Sequence, residues 1–151
     1  MASGKTYAYS FLNVKATIDG QSVIGFWEGD DAVVVEPTED VGTGVVGADG
    51  AAVFSQRAGN PHTITFRLMP QSPAHKLLHE KWALQRTPGM RTSSFAVTIN
   101  DVDANEGGTA LQCFIMTAPS DEKGVATSAR EWVVWTGNYN PNIPNGGAII
   151  A

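Results

Sequence analysis

From Tyr7 to Ile18 the side chains alternate, and this pattern limits the fold more than any other feature of the chain. Tyr7, Tyr9, Phe11, Asn13, Lys15 and Thr17 fall on odd positions, and Ala8, Ser10, Leu12, Val14, Ala16 and Ile18 on even ones. A period of two is the repeat of a β-strand with two different faces. Asp19-Gly20 supplies the positive φ angles of a two-residue turn, so Val23-Ile24-Gly25-Phe26-Trp27 is expected to return as the partner strand of a long hairpin.

The rest of the chain keeps this character. Val33-Val34-Val35 extends the first sheet and Glu36-Pro37 ends it, because proline has no N–H to give to a ladder. From Glu36 to Gly50 the breakers Pro37, Gly42, Gly44, Gly47 and Gly50 read as a long loop, of the kind that is either functional or disordered. Ala51 to Gln56 and Thr63 to Leu68 read as strands, separated by the turn residues Ala58-Gly59-Asn60-Pro61. Ser72-Pro73 opens a helix with Ala74, Leu77, Leu78 and Trp82 on its apolar face, and Thr87-Pro88-Gly89 closes it. Trp82 is expected in the core.

Strands follow at Ser93 to Ile99, Thr109 to Thr117 and Val125 to Trp135. Trp132 and Trp135 have opposite parity on the last of these, so only one of them can face a given core. The tail from Gly137 to Ala151, with Pro141, Pro144 and Gly146-Gly147, holds too many breakers for a strand or a helix and reads as an arm. The expected architecture is mainly β, a β-barrel or sandwich with long hairpins and one flanking α-helix. It forms a single domain over residues 1–136, with a C-terminal arm over 137–151.

Composition narrows the function. A chain of 151 residues can bury a core without staples, and 16 glycines with 8 prolines suit many turns between short strands. The single cysteine, Cys113, can form no internal disulfide, and Met1-Ala2-Ser3 lacks the regions of a signal peptide, so folding in a reducing cytoplasm is expected. No apolar run approaches the roughly 20 residues that span a bilayer, which disfavours a membrane role. Fifteen acidic against ten basic residues leave a net charge of -5, and the basic residues are scattered. Such a chain lacks the basic patch that grips nucleic acid. Negative charge does suit a wall that DNA slides past.

Fragments that imitate chemical motifs read as ordinary structure. Gly42-Thr43-Gly44-Val45-Val46-Gly47 has the glycines of a dinucleotide-binding turn, but no helix follows, and Glu39 and Asp40 repel phosphate. Gly4-Lys5-Thr6 lacks the upstream glycine of a P-loop. His75 and His79 share a helix face beside Glu80, yet Lys76 replaces the glutamate of the zinc-protease order and the remaining His62 is remote; a solvated polar face is expected, with no metal. Asp101-Val102-Asp103-Ala104-Asn105 imitates half a calcium loop, but Glu106 replaces the required glycine, so an acidic hairpin turn is expected. Cys113, beside Phe114-Ile115-Met116, is expected buried and inert. Glu28, Asp30 and Asp31 read as solvated charges at a strand break. No catalytic residue and no cofactor site emerges.

The absence of a site points toward a structural role, since an exposed sheet edge invites pairing with another copy. The opening string, with Lys5-Thr6-Tyr7, Phe11-Leu12-Asn13-Val14 and Ala16-Thr17-Ile18-Asp19-Gly20, resembles the tail tube proteins of contractile-tailed bacteriophages, the short tube subunits in particular. Chain length and order of elements agree with it over nearly all residues. The resemblance implies a virion tail component assembled in the host cytoplasm. Its subunits would form stacked hexameric rings inside a sheath, with tape-measure and baseplate or initiator proteins as further partners, and DNA would transit the lumen without specific binding. On that basis Asn13, Lys15 and Thr17 belong to a lumen-wall hairpin whose polar face meets either water or the channel. Glu36, Pro37, Glu39, Asp40 and Gly44 belong to an inter-ring loop. The alternatives are the ring protein of a bacterial contractile injection system and a small-ligand-binding β-barrel with a preformed apolar pocket.

Overall fold

The computed structural model describes residues 6–88, 94–144 and 148–150; the readings that rest on Lys5, Gly89, Ser93, Gly146 and Gly147 lie outside them. Antiparallel strands are the main regular structure of the described chain. The strands are β1 Thr6–Ala8, β2 Val14–Ile18, β3 Gln21–Ser22, β4 Val33–Pro37, β5 Gly42–Val46 and β6 Ala52–Gln56, followed by β7 His62–Leu68. Helix α1 spans Ala74–Gln85. After it come β8 Phe95–Asp101, β9 Glu106–Thr117, β10 Arg130–Thr136, β11 Tyr139–Pro141 and β12 Ala148–Ile150. The main sheet runs β3-β2-β8-β9-β10-β7-β4, with β11 also on β9, while β5–β6 and β1–β12 form separate two-stranded ribbons.

Alternation builds the core as the sequence implies. Ala16 and Ile18 from β2, Ile64, Phe66 and Leu68 from β7, Phe95, Val97 and Ile99 from β8, and Trp132 and Val134 from β10 all turn to one side. Ala74 and Leu78 of α1 close one end of that core, with Leu77 and Trp82 packed against it. Trp132 is fully buried and Trp135 is 36% exposed, the split their parity requires. Ser72 begins the helix by accepting the Ala74 N–H on its Oγ at 3.2 Å.

The opening strand is shorter than its alternation suggests. Ser10 Oγ accepts the Leu12 N–H at 3.1 Å and Ser10 O accepts the Asn13 N–H at 3.0 Å, folding Phe11–Asn13 into a 3-10 turn ahead of β2. A serine hydroxyl offering its own backbone a partner competes with a ladder. Asp19 (φ 51°) and Gly20 (φ 80°) do form the expected turn, but the return strand β3 is two residues long. The chain then crosses over: Val23 N–H donates to Ala16 O, and Trp27 N–H donates to Arg67 O, with Phe26 bridged to Leu68. The segment therefore links the β2 edge to β7.

Three further readings are corrected. The stretch 36–50 is not a loop: Glu36 and Pro37 finish β4 opposite Thr63 and His62, and Gly42–Val46 is a strand. The last long strand begins at Arg130, not Val125, whose side chain stands in solvent. The tail after Gly137 contains β11, because Tyr139 is buried over Gly108 and exchanges hydrogen bonds with Asn60 through its N–H (3.0 Å) and its carbonyl (2.7 Å).

Candidate assembly surface

The side of the sheet turned away from the core carries cross-strand rows of short polar groups. Thr17 stands opposite Thr98, Thr98 opposite Thr109, and Thr109 opposite Asn140. One step along, Lys15 stands opposite Asn100 and Asn100 opposite Gly107. Over β4, β7, β10 and β9 the row becomes Glu36, Thr63, Trp135 and Phe114. Arg67 on this side is neutralised by Asp31 at 2.8 Å and approached by Glu131 at 3.8 Å, whereas Lys15 is exposed and makes no ion pair among the described residues.

Hairpin β5–β6 stands clear of the main sheet. All ten paired residues except Gly42 are exposed, and among them Val45, Val46, Val53 and Phe54 are 63–71% accessible. The Phe54 ring lies across the opposite strand: a Cβ at Gly42 would meet it at 2.8 Å and Ser55 O at 2.3 Å, so that position must be glycine. Asp49 Oδ1 accepts the Ala51 N–H at 3.1 Å to close the tip, and Arg57 with Glu39, 2.9 Å apart, ties the base. An isolated two-stranded hairpin is marginal in water, and exposed apolar groups on it call for a covering partner.

The hairpin and the helix lie at opposite ends of the molecule. β4 and β7 are antiparallel neighbours; the hairpin follows the end of β4 and α1 follows the end of β7. At the helix end, His75 is buried and spans two elements. Its Nδ1 accepts the Trp132 Nε1–H at 3.0 Å, so its Nε2–H donates to Met69 O at 2.8 Å. Burial, aided by Arg130 and His79, holds its pKa below the ordinary histidine value despite that carbonyl. The expected solvated face is thus only half correct: His79 is exposed, its ring edge-on to Trp132 at 4.8 Å, while His75 is internal. Gln85 also grips the sheet, accepting the Ile115 N–H and donating to Ile115 O, both at 2.8 Å.

An open groove of about 1250 Å³ lies between β4 and β2, with Val14, Phe26, Val33, Val35 and Ile99 in its wall and Asp30, Asp101 and Glu106 also lining it. Among the described residues no three His, Cys, Asp or Glu side chains converge to hold a metal ion. Asp101 Oδ1 instead accepts the Asp103 N–H at 3.1 Å within the acidic β8–β9 turn. Cys113 is buried, its thiol pushed up to about 11 by desolvation.

Of the residues singled out from sequence, Lys15 and Thr17 share the non-core side of β2. Asn13 does not join them, because its Nδ2 donates to Asp103 Oδ2 at 2.6 Å beyond the strand. Glu36 and Pro37 are in the main sheet, Glu39 and Asp40 at the hairpin base, and Gly44 within β5. The hairpin as a unit escaped notice, although Asp49-Gly50 between two valine-bearing pairs was its signal. Nothing in the sequence marked Gln85.

A family model described as bacteriophage PhiTE tail tube protein matches residues 6–142. Among curated proteins the sequence has no match. Among solved structures, the fold is similar to the sheath/tube terminator of an extracellular contractile injection system, PVC, in the extended state (TM-score 0.58, 11% identity, covering 91% of this chain and 99% of that one). It is also similar to the tube-terminating cap of the anti-feeding prophage (TM-score 0.56, 12% identity, 93% and 98%). A chain of the PVC sheath-tube complex, extended state, gives a TM-score of 0.54 at 12% identity, with 93% of each chain covered.

Proposed function

The chain belongs to the bacteriophage PhiTE tail tube protein family, and we propose that it is the structural subunit of a tail tube, built as stacked hexameric rings whose lumen conducts genomic DNA. A virion tail component follows from the family. The observation that carries the reading further is the pair of unlike, exposed ends on one sheet: a bare apolar hairpin at one and α1 at the other. Unlike ends suit head-to-tail association, which repeats without limit instead of closing as a dimer.

In this reading the non-core side of β2, β8 and β9 lines the lumen, with Lys15 and Thr17 on it and Asn13 at its margin. Threonine and asparagine there offer DNA short neutral groups, with Lys15 as one cation per subunit among them, while the chain as a whole carries a net charge of -5 that disfavours tight adhesion of the polymer. Glu39, Asp40 and Gly44, with the hairpin they belong to, contact the next ring, and Glu36 and Pro37 form a sheet edge toward a neighbour. Sheath, tape-measure and initiator proteins are the remaining partners, with assembly in the host cytoplasm. The subunit performs no catalysis.

Negative-stain electron microscopy of the purified protein over a concentration series, with light scattering for mass, tests this. Rings or tubes with a central hole are expected. A monomer or dimer that persists at high concentration and co-purifies with a small molecule would overturn it. That outcome would favour a ligand-binding barrel, for which the 1250 Å³ groove is the supporting observation.

A further inference from the structure

We propose that Asp49, at the tip of hairpin β5–β6, is a site of spontaneous isoaspartate formation through attack by the Gly50 nitrogen, while the other Asp-Gly pair of the chain, Asp19-Gly20, is protected against it. The reaction needs a carboxyl group free to swing onto the next backbone nitrogen, and a following residue with no side chain in the way. Both pairs meet the second condition, since Gly50 (φ 89°) and Gly20 (φ 80°) have open space where a Cβ would stand. They differ in the first. Asp49 is exposed, makes no ion pair among the described residues, and is held only through Oδ1, which accepts the Ala51 N–H at 3.1 Å. The Gly50 N–H makes one turn bond, to Gly47 O at 3.0 Å. Asp19 is tied at both carboxylate oxygens: Oδ1 accepts the Ala96 N–H at 2.8 Å and Oδ2 pairs with Lys81, while its own N–H donates to Ala96 O at 2.8 Å. Burial opposes ionisation there, but the Ala96 N–H and the Lys81 ammonium hold the Asp19 carboxyl below the ordinary carboxylate range, in the form that is the poorer electrophile.

In the first step the Gly50 nitrogen bonds to Asp49 Cγ, the Cγ–OH bond breaks, and the hydroxyl leaves as water with the amide proton, closing a succinimide ring. Water then adds to the former backbone carbonyl of Asp49, and the bond from that carbon to the Gly50 nitrogen breaks. The main chain now runs through Cγ, longer by a methylene, and the old carbonyl carbon carries a free carboxylate. Only water is exchanged, so the mass is unchanged. At Asp49 the added atom enters the exposed tip between Val46 and Ala52, where the Ala51 N–H bond is the contact that the carboxyl group gives up. At Asp19 the same step must first release the charge-assisted bonds that join the β2–β3 turn to β8 and α1, which slows it by roughly tenfold or more.

The test is incubation of the folded protein at pH 6 and 37 °C, followed by digestion with Asp-N protease, which cuts before aspartate but not before isoaspartate. Conversion at Asp49 leaves fragment 40–100 uncut and conversion at Asp19 leaves fragment 1–29, whereas Asn145-Gly146 falls in the separate fragment 121–151. Fragment 40–100 is expected to accumulate roughly tenfold faster than 1–29 in the folded protein, and the two at similar rates in urea. Equal rates in the folded protein, or no conversion at Asp49, would overturn the proposal. A difference in urea as large as the native one would place the cause in the neighbouring residues and overturn it as well. Lys81→Met supplies a second readout: conversion at Asp19 should rise severalfold with that at Asp49 unchanged, and an unaltered Asp19 rate would refute the protection.

Discussion

Replacing Gln85 by alanine should destabilise the monomer by about 2–3 kcal/mol, which is large for a half-buried polar side chain on a short helix. β8 begins at Phe95, opposite Cys113, so Ile115 of β9 lies past its end and turns its backbone toward α1 instead. The Gln85 amide meets both groups at 2.8 Å, standing in for the missing strand. Two hydrogen bonds contribute about 1 kcal/mol each, and leaving a largely buried N–H and C=O unmatched adds desolvation cost. With a urea slope of about 2 kcal/mol per molar, the unfolding midpoint should fall by roughly 1–1.5 M.

The measurement is urea unfolding by circular dichroism, at a concentration where light scattering shows monomer, since association would add its own stability. Gln85→Met preserves bulk without the hydrogen bonds and should lose nearly as much. Gln85→Glu keeps the acceptor for the Ile115 N–H but sets a carboxylate against the Ile115 carbonyl, and should be no better than alanine. Exchange of the Ile115 amide should accelerate in all three. A cost below about 0.5 kcal/mol for the alanine variant would mean that water replaces the side chain, and would refute the clamp.

Other consequences are equally open to measurement. Because the folded pKa of His75 is depressed, its contribution to stability is complete above about pH 6.5 and declines as pH falls from there toward the folded value. Trp132→Phe, which leaves Nδ1 of His75 without its donor, should cost about 1–2 kcal/mol at neutral pH and flatten that decline, as seen in thermal melts across pH 5–8. Gly107→Ala should cost more than about 3 kcal/mol, since φ is 134° there and the new Cβ would fall 2.0 Å from Ile99 O; soluble yield and melting temperature report it. Cys113 should resist a thiol reagent at pH 8 in the native state and react at once in denaturant, as its burial and a pKa of about 11 require.

Local information in the sequence reached far along the strands. The strand parity of Trp132 and Trp135 required one of them to leave the core, Asp19-Gly20 announced its turn, and Ser72-Pro73 announced α1. Each of these depends on a residue and its near neighbours, through pleat, φ preference or cap. The opening residues likewise pointed to the family.

What needed the tertiary structure was every feature that depends on where a strand stops having a neighbour. Glycines at 42 and 44 looked like loop residues because they discourage isolated structure; in the ribbon Gly44 stands opposite Phe54 and Gly42 makes room for its ring, and both are relations between strands. His75 looked solvated because its helix position is polar in pattern, yet Trp132, distant in sequence, supplies the donor that makes burial tolerable. Gln85 has no signature at all, because its role exists only where β8 leaves β9 unpaired. Side-chain periodicity encodes which way a residue faces, whereas what it meets there is set by the long-range register of the sheet.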